Sequence, residues 1–236
     1  MLIIKMKVIL KPASDIFISK VIFELIKEVD VNEVNKVVFN SKISLIKNIK
    51  KAEKFEEVKE EILKFVRENT LKDLKEKTEK IKEEWLKKEE IFFSHLKKIF
   101  NIEKIEENFF GYTTNLTVGN YGEDKTFVVR VSENIQESIF VIAEEITHLV
   151  YWDIWRKVFK KNLKNPWKLK KENQRGLSVW KISETIPEFV FKLNNEREKF
   201  YPWLRDTKRE LKTLWENRKN FEDFLRRSHE GVFLNN

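Results

Sequence analysis

Residues 139–155 of this 236-residue chain have the sequence IFVIAEEITHLVYWDIW, which is apolar at most positions and contains no glycine or proline. If the stretch is helical, apolar side chains lie on nearly every side of it, which predicts a helix buried within the protein. Glu144, Glu145 and His148 stand in its middle. A charged carboxylate is costly in a dry interior unless it is paired or bound to a metal, so these residues need a common partner or a function.

The spacing of the three polar residues places them together. Glu144 and His148 are four residues apart and project from the same face of a helix, and Glu145 lies at the edge of that face. We expect the helix to extend to about Lys161. The alternative is a partly exposed helix with ordinary polar residues, but the apolar residues on the other sides argue against it.

Two β-rich segments precede this helix. Residues 109–118 and 126–131 are rich in β-branched and aromatic residues, and the turn-forming residues 119–124 separate them. This pattern predicts a β-hairpin. Asn134, followed three residues later by Glu137, resembles a capping box and indicates the start of the buried helix.

The rest of the chain is predicted to be mainly helical. Glycine and proline are scarce, with 5 and 4 residues, so few turns can be built and long helices are expected. The expected elements are a strand over 2–10 that ends at Lys11–Pro12, a helix from Ser14 or Asp15 to about Glu28, amphipathic helices over 41–98, a helix over about 183–194, and a helical region from Tyr201–Pro202 to about Ser228.

These elements predict one helix-rich α+β domain over residues 1–236. Its parts are a mostly helical segment over 1–100, a central core over 108–195 with the buried helix and the small β-sheet, and C-terminal helices over 200–228. No window holds about 18 uncharged apolar residues, so no membrane span is expected. The N-terminal apolar run is broken by lysines and lacks the length and cleavage site of a signal peptide, so a cytoplasmic location is expected. Cysteine is absent, which excludes disulfides and thiolate sites.

The net charge of +8 is concentrated in one stretch. Residues 156–175 contain nine basic side chains and one acid, which accounts for the whole surplus. Such a stretch is usually a solvated loop, but it could also attract an acidic peptide or a nucleic acid. The candidate polyanion contacts are Lys160, Lys161, Lys164, Lys168, Lys170 and Lys171.

The motif Glu144-Glu145-Ile-Thr-His148 resembles the His-Glu-x-x-His helix of the gluzincin-type zinc metallopeptidases. In that motif the two histidines bind zinc and the glutamate activates a water molecule. The resemblance implies that His148 is a metal ligand and Glu145 the catalytic general base. Glu144 stands where the first histidine belongs, and a carboxylate can also bind zinc.

The resemblance extends over about residues 80–195 and implies further roles. Glu184 matches the third metal ligand, 36 residues after His148, and Glu188 matches the acid that orients a ligating histidine. The strand over 126–131 matches the edge strand that pairs with a peptide substrate. Tyr151 or Tyr112 could donate a hydrogen bond in the transition state.

Several functions remain open at this point. Glu144, His148 and Glu184 would hold one divalent metal, zinc or less readily manganese or iron, for a weak peptide hydrolase. Without metal, the protein would be an inactive relative that binds a peptide or a protein. A nucleic-acid-binding protein ranks third, and half of a ferritin-like di-iron site ranks last because a second Glu-x-x-His motif is missing.

Individual residues also have simpler interpretations. Glu184 could be an acid near a helix N-terminus, and Glu188 could form a capping box with Thr185. His95, which follows Phe92, Phe93 and Ser94 on an amphipathic helix, is interpreted as a packing residue, and His229, near the C-terminus, as a solvated one.

Overall fold

A computed structural model describes residues 8–28, 43–105, 108–117, 120–121, 124–160, 174–191 and 202–234. Its strands are β1 (Val8–Pro12), β2 (Phe109–Thr114), β3 (Asn120–Tyr121) and β4 (Thr126–Arg130). Its α-helices are α1 (Asp15–Glu28), α2 (Ile43–Lys51), α3 (Lys59–Asn69), α4 (Leu74–Leu86), α5 (Glu89–Phe100), α6 (Ile135–Phe159), α7 (Gln174–Phe191), α8 (Pro202–Glu216) and α9 (Phe221–Leu234). This helix-rich α+β architecture confirms the predicted fold class.

The sheet has the strand order β1-β2-β4-β3. β1 runs parallel to β2, and β2 runs parallel to β4, with Tyr112 opposite Val128. The two residues of β3 pair antiparallel with β4. The predicted hairpin of residues 109–118 with 126–131 is therefore wrong. The chain leaves β2, passes beyond β4 to form β3, and then returns, so that β4 lies between its two neighbours.

Helices cover both faces of this sheet. Phe127 and Val129 of β4 belong to a large apolar cluster with α4, α6 and the later helices. Val128, on the opposite face, belongs to a second cluster with α1, α2 and α3. Burial on both faces explains why residues 127–129 form a continuous apolar run. None of the described helices combines the length and the apolar character that crossing a membrane requires.

Gly111 of β2 lies where the sheet is most tightly packed. A Cβ at this position would overlap Leu10 Cδ2 and lie 2.8 Å from Phe127 Cζ. Both neighbours are buried, so Gly111→Ala is expected to lower the free energy of unfolding by about 1–3 kcal/mol, measured by urea denaturation. Adding Leu10→Ala should make the double variant less destabilised than the sum of the two single changes. Additive losses would contradict the overlap.

Candidate functional site

The central helix α6 carries the predicted polar residues into the core. Its first turn is capped by the Asn134 side chain, which accepts a hydrogen bond from the backbone N–H of Gln136 at 3.0 Å. Glu145 and His148 are buried, with 6% and 3% of their surfaces exposed, whereas Glu144 is only half-buried. The burial of this helix, expected from its apolar residues, is confirmed.

Helix α7 places Glu184 and Glu188 differently from the simpler interpretations. The helix begins at Gln174, nine residues before the predicted start, so Glu184 lies well inside it and is not an N-terminal acid. Thr185 donates its hydroxyl to the carbonyl of Lys181 at 2.8 Å, as residues inside a helix do. The interpretation of Glu184 as an acid near a helix N-terminus and that of Glu188 as part of a capping box are therefore wrong.

Glu184 and His148 meet between the two helices. Glu184 Oε2 lies 3.9 Å from His148 Nε2, and the Glu184 side chain is 11% exposed. Two residues that are 36 positions apart in the chain thus converge in a buried region, as the resemblance implies. This pair can hold and move a proton between carboxylate and imidazole. Glu145, on the same helix as His148, is also buried.

The expected metal site is not assembled. Among the described residues, no group of three or more histidine, aspartate or glutamate side chains is placed to hold a metal ion. Glu144, the third predicted ligand, is half-buried, whereas His148 and Glu184 are buried. Zinc in proteins is almost always held by three or four ligands, so the residues as placed do not fit a zinc ion.

Glu188 of α7 makes an ion pair with a lysine of α8. Its Oε2 lies 3.4 Å from the Nζ of Lys208 on α8, and the Glu188 side chain is 1% exposed. Sequence reasoning assigned Glu188 to the orientation of His148 and missed Lys208. The signal was present, because Lys208 shares the apolar face of α8 with the buried Leu204 and Leu211.

Neither candidate tyrosine borders an open site. Tyr112 packs against Phe17 of α1, with ring centroids 4.3 Å apart, on the face of the sheet opposite α6. Its predicted role as a transition-state donor beside His148 is wrong for this reason. Tyr151 is completely buried and packs against Trp152 and Phe221. Burial raises the pKa of the Tyr151 hydroxyl, which therefore stays protonated.

The strand β4 is not the edge of the sheet. β3 covers Phe127 and Val128, and the carbonyl of Arg130 accepts a hydrogen bond from the Ser138 hydroxyl at 2.9 Å. The interpretation of residues 126–131 as a substrate-pairing edge strand is therefore wrong. On this side of the described sheet, the edge is β3.

The basic stretch is described only in part. Lys160 is exposed and ends α6 in a left-handed conformation, with φ of 51°. The other candidate polyanion contacts, Lys161, Lys164, Lys168, Lys170 and Lys171, lie outside the described residues. Their proposed role stays a prediction.

The other two histidines also differ from expectation. His95 is exposed, and its Nε2 lies 3.2 Å from the carbonyl of Val190. His229 is buried rather than solvated, because its Nε2 accepts a hydrogen bond from Trp155 Nε1 at 2.9 Å. Its Nδ1 lies 2.7 Å from the carbonyl of Leu225, which requires the neutral tautomer with the proton on Nδ1.

Comparison with known proteins adds no family assignment. No protein-family model matches the chain, and no curated protein or solved structure is significantly similar to it.

Proposed function

We propose that this protein binds peptides on a scaffold related to the gluzincin metallopeptidases, and that ion pairs rather than a metal stabilise its buried acids, Glu184 beside His148 and Glu188 beside Lys208. One observation carries the proposal: Glu184 Oε2 lies 3.9 Å from His148 Nε2 within the core. A core without a function would be more stable with apolar residues at these positions. A cytoplasmic location, expected from the N-terminal sequence and the absence of a predicted membrane span, belongs to the same proposal.

The edge of the sheet supports peptide binding. β3 is only two residues long and pairs with β4 at the start of the strand that leads to α6. A strand edge offers backbone N–H and C=O groups to an extended peptide, which can add itself as a further strand. The net charge of +8 favours acidic peptides through long-range attraction.

A direct test uses synthetic peptides with fluorescent labels. Acidic and basic decapeptides of matched apolar content would be titrated with the protein, and binding followed by fluorescence polarisation. We expect the acidic peptides to bind more tightly, with an affinity that falls as salt is added and does not change with EDTA. Hydrogen exchange should slow at residues 120–121 when peptide binds. Equal binding of both series, or no binding, would contradict the proposal.

A metal-dependent peptide hydrolase is the second candidate function. It is favoured by the same pair, because His148 and Glu184 are two of the three ligands that the resemblance implies. In this candidate Glu145 is the general base, so Glu145→Gln should abolish peptide cleavage without unfolding the protein. Peptide products detected by mass spectrometry, lost on addition of EDTA, would favour hydrolysis over binding alone.

The substitution Glu144→His restores the expected ligand set and gives a sharp prediction. The variant should bind about one zinc ion per chain, because two histidines and a glutamate form a common zinc site. Elemental analysis after dialysis would measure the metal content. Glu144→Gln, which adds no ligand of this kind, is the matched control and should bind none. A Glu144→His variant without zinc would show that the resemblance is wrong, and zinc in the unmodified protein would favour the hydrolase.

A further inference from the structure

A small cavity lies beside the second half of α6, on the side away from His148. Its volume is about 180 Å³. Val150, Ile154 and Lys157 of α6 line it at spacings of four and three, which places them along one stripe of the helix. Val150 is two residues after His148 and therefore points about 200° away from it around the helix axis. The cavity is thus separate from the buried pair of His148 and Glu184.

The walls of this cavity are mainly apolar. The segment between α5 and β2 and the first residue of β2 contribute Ile102, Lys104, Ile105 and Phe109 to its lining. Phe109 and Val150 are buried, and the isoleucines of the lining are half-buried. An apolar cavity of about 150 Å³ is large enough to bind benzene. The cavity beside α6 therefore accommodates one six-membered ring, but it is too small for a ligand of the size of a nucleotide.

The one acid in the lining is already neutralised within the protein. Asp153 of α6 forms ion pairs with Lys125, which directly precedes β4, and with Arg156 of α6. Lys125 contacts Oδ2 of this carboxylate and Arg156 contacts Oδ1. Lys157 stands four residues after Asp153, at the spacing of an ion pair within a helix. Because both oxygens of Asp153 have other partners, Lys157 keeps its charge for the cavity.

The rim of the cavity therefore carries an excess of positive charge. Lys104 and Lys157 are both exposed lining residues, and they come from two different elements. Lys157 makes no ion pair with any acid in the part of the chain that the structure describes. Apolar walls with ammonium groups at the rim complement a ligand that has an apolar body and an anionic head.

We propose that this cavity binds a small aromatic carboxylate. The ring of the ligand lies between Ile105, Phe109 and Ile154, and its carboxylate lies beside the ammonium group of Lys157. The inference goes beyond the proposed function, because this face of α6 is used neither by the pair of His148 and Glu184 nor by the edge strand β3. Failure of peptide binding would therefore leave the cavity and its ligand class standing.

Phenylacetate is the probe that tests this site. The full-length protein, labelled with nitrogen-15, would be titrated with phenylacetate and followed by NMR chemical shifts. We expect a Kd on the order of 1 mM and the largest shifts at the backbone amides of Val150, Ile154 and Lys157. Phenylacetamide, the uncharged analogue, should bind about 2–5-fold more weakly, and the cation phenethylamine more weakly still. The absence of binding, the largest shifts elsewhere, or equal affinities for the three compounds would overturn the proposal.

Two lysines near the end of α6 provide a matched pair of variants. Lys157→Met should weaken phenylacetate binding by about 2–5-fold and leave phenylacetamide binding unchanged. Lys160→Met is the control, because Lys160 is also exposed but does not line the cavity, and its removal changes the net charge equally. It should leave the affinity for both compounds unchanged. Equal weakening in the two variants would mean that the protein attracts the anion only at long range, and the proposed contact with Lys157 would be wrong.

A third variant tests whether the ring enters the cavity. Ile154→Trp fills the space between α6 and the segment before β2, so it should abolish the binding of both phenylacetate and phenylacetamide. If this variant does not fold, Lys157→Met still decides the proposal, because its side chain is exposed and its loss leaves the core intact. A folded Ile154→Trp variant that binds phenylacetate with unchanged affinity would show that the ligand binds elsewhere.

Discussion

Replacing Glu184 by alanine is expected to lower the free energy of unfolding by about 3–5 kcal/mol. The reason is that the substitution leaves His148 buried without the carboxylate that lies 3.9 Å from its Nε2. His148 is only 3% exposed, so water cannot readily replace the lost partner. Urea denaturation of the two proteins at pH 6, where an imidazole is readily protonated, would measure the difference.

A double-mutant cycle separates this interaction from general damage to the core. If Glu184 and His148 interact, the loss in Glu184→Ala with His148→Ala should be smaller than the sum of the two single losses, by more than about 1 kcal/mol. The exposed pair Lys80–Glu76 on α4, with Nζ and Oε1 2.7 Å apart, is the control and should show a coupling of about 0.2–1 kcal/mol. Additive losses at Glu184 and His148 would remove the observation on which the proposed function rests.

The helices were largely predictable because their signals are local. The limits of α1 agree with the predicted helix from Ser14 or Asp15 to Glu28, and α8 begins at Pro202 as predicted, since proline is well suited to the first turn of a helix. α6 was marked by its apolar residues and by the cap at Asn134. In each case, residues within a few positions of each other carry the information.

The sheet could not be predicted in the same way. A strand, a turn and a second strand look alike in sequence whether the two strands pair antiparallel as a hairpin or pair parallel, with a short third strand between them in the chain. The parallel pairing of β2 with β4 depends on the passage of the chain beyond β4, which is a tertiary contact. For the same reason, alternation along β2 places Tyr112 and Gly111 on opposite faces of the sheet, but the sequence does not show which of the two faces packs against α6.

The candidate site was predicted in part. The convergence of His148 and Glu184 was expected from the resemblance, because both residues occupy positions of a known motif. Lys208 was missed because it lies outside the segment of resemblance and is one of many lysines in a chain with 47 lysine and arginine residues. The signal was that Lys208 lies between the buried Leu204 and Leu211 on one face of α8. This position indicates an ion pair only once the tertiary structure shows that Glu188 faces it.

Glu89 illustrates the same limit and gives the last large prediction. It belongs to the charged run Lys87-Lys88-Glu89-Glu90, in which nothing distinguishes it from Glu90. In the structure Glu89 is buried, and its Oε1 accepts hydrogen bonds from the backbone N–H of Val8 at 2.8 Å and from Trp85 Nε1 at 3.1 Å. The carboxylate therefore joins the first residue of β1 to the helices α4 and α5.

Glu89→Ala is expected to lower the free energy of unfolding by about 2–5 kcal/mol, because it leaves two buried donors without an acceptor. Glu89→Gln keeps an amide oxygen in the same place and should lose much less. Glu90→Ala, at the exposed neighbouring position, is the matched control and should change stability by less than about 0.5 kcal/mol. Urea denaturation of the three variants, followed by tryptophan fluorescence, would measure the differences. Equal losses in Glu89→Ala and Glu90→Ala would mean that the carboxylate does not hold β1, since only the residue that accepts both hydrogen bonds can anchor the start of the sheet.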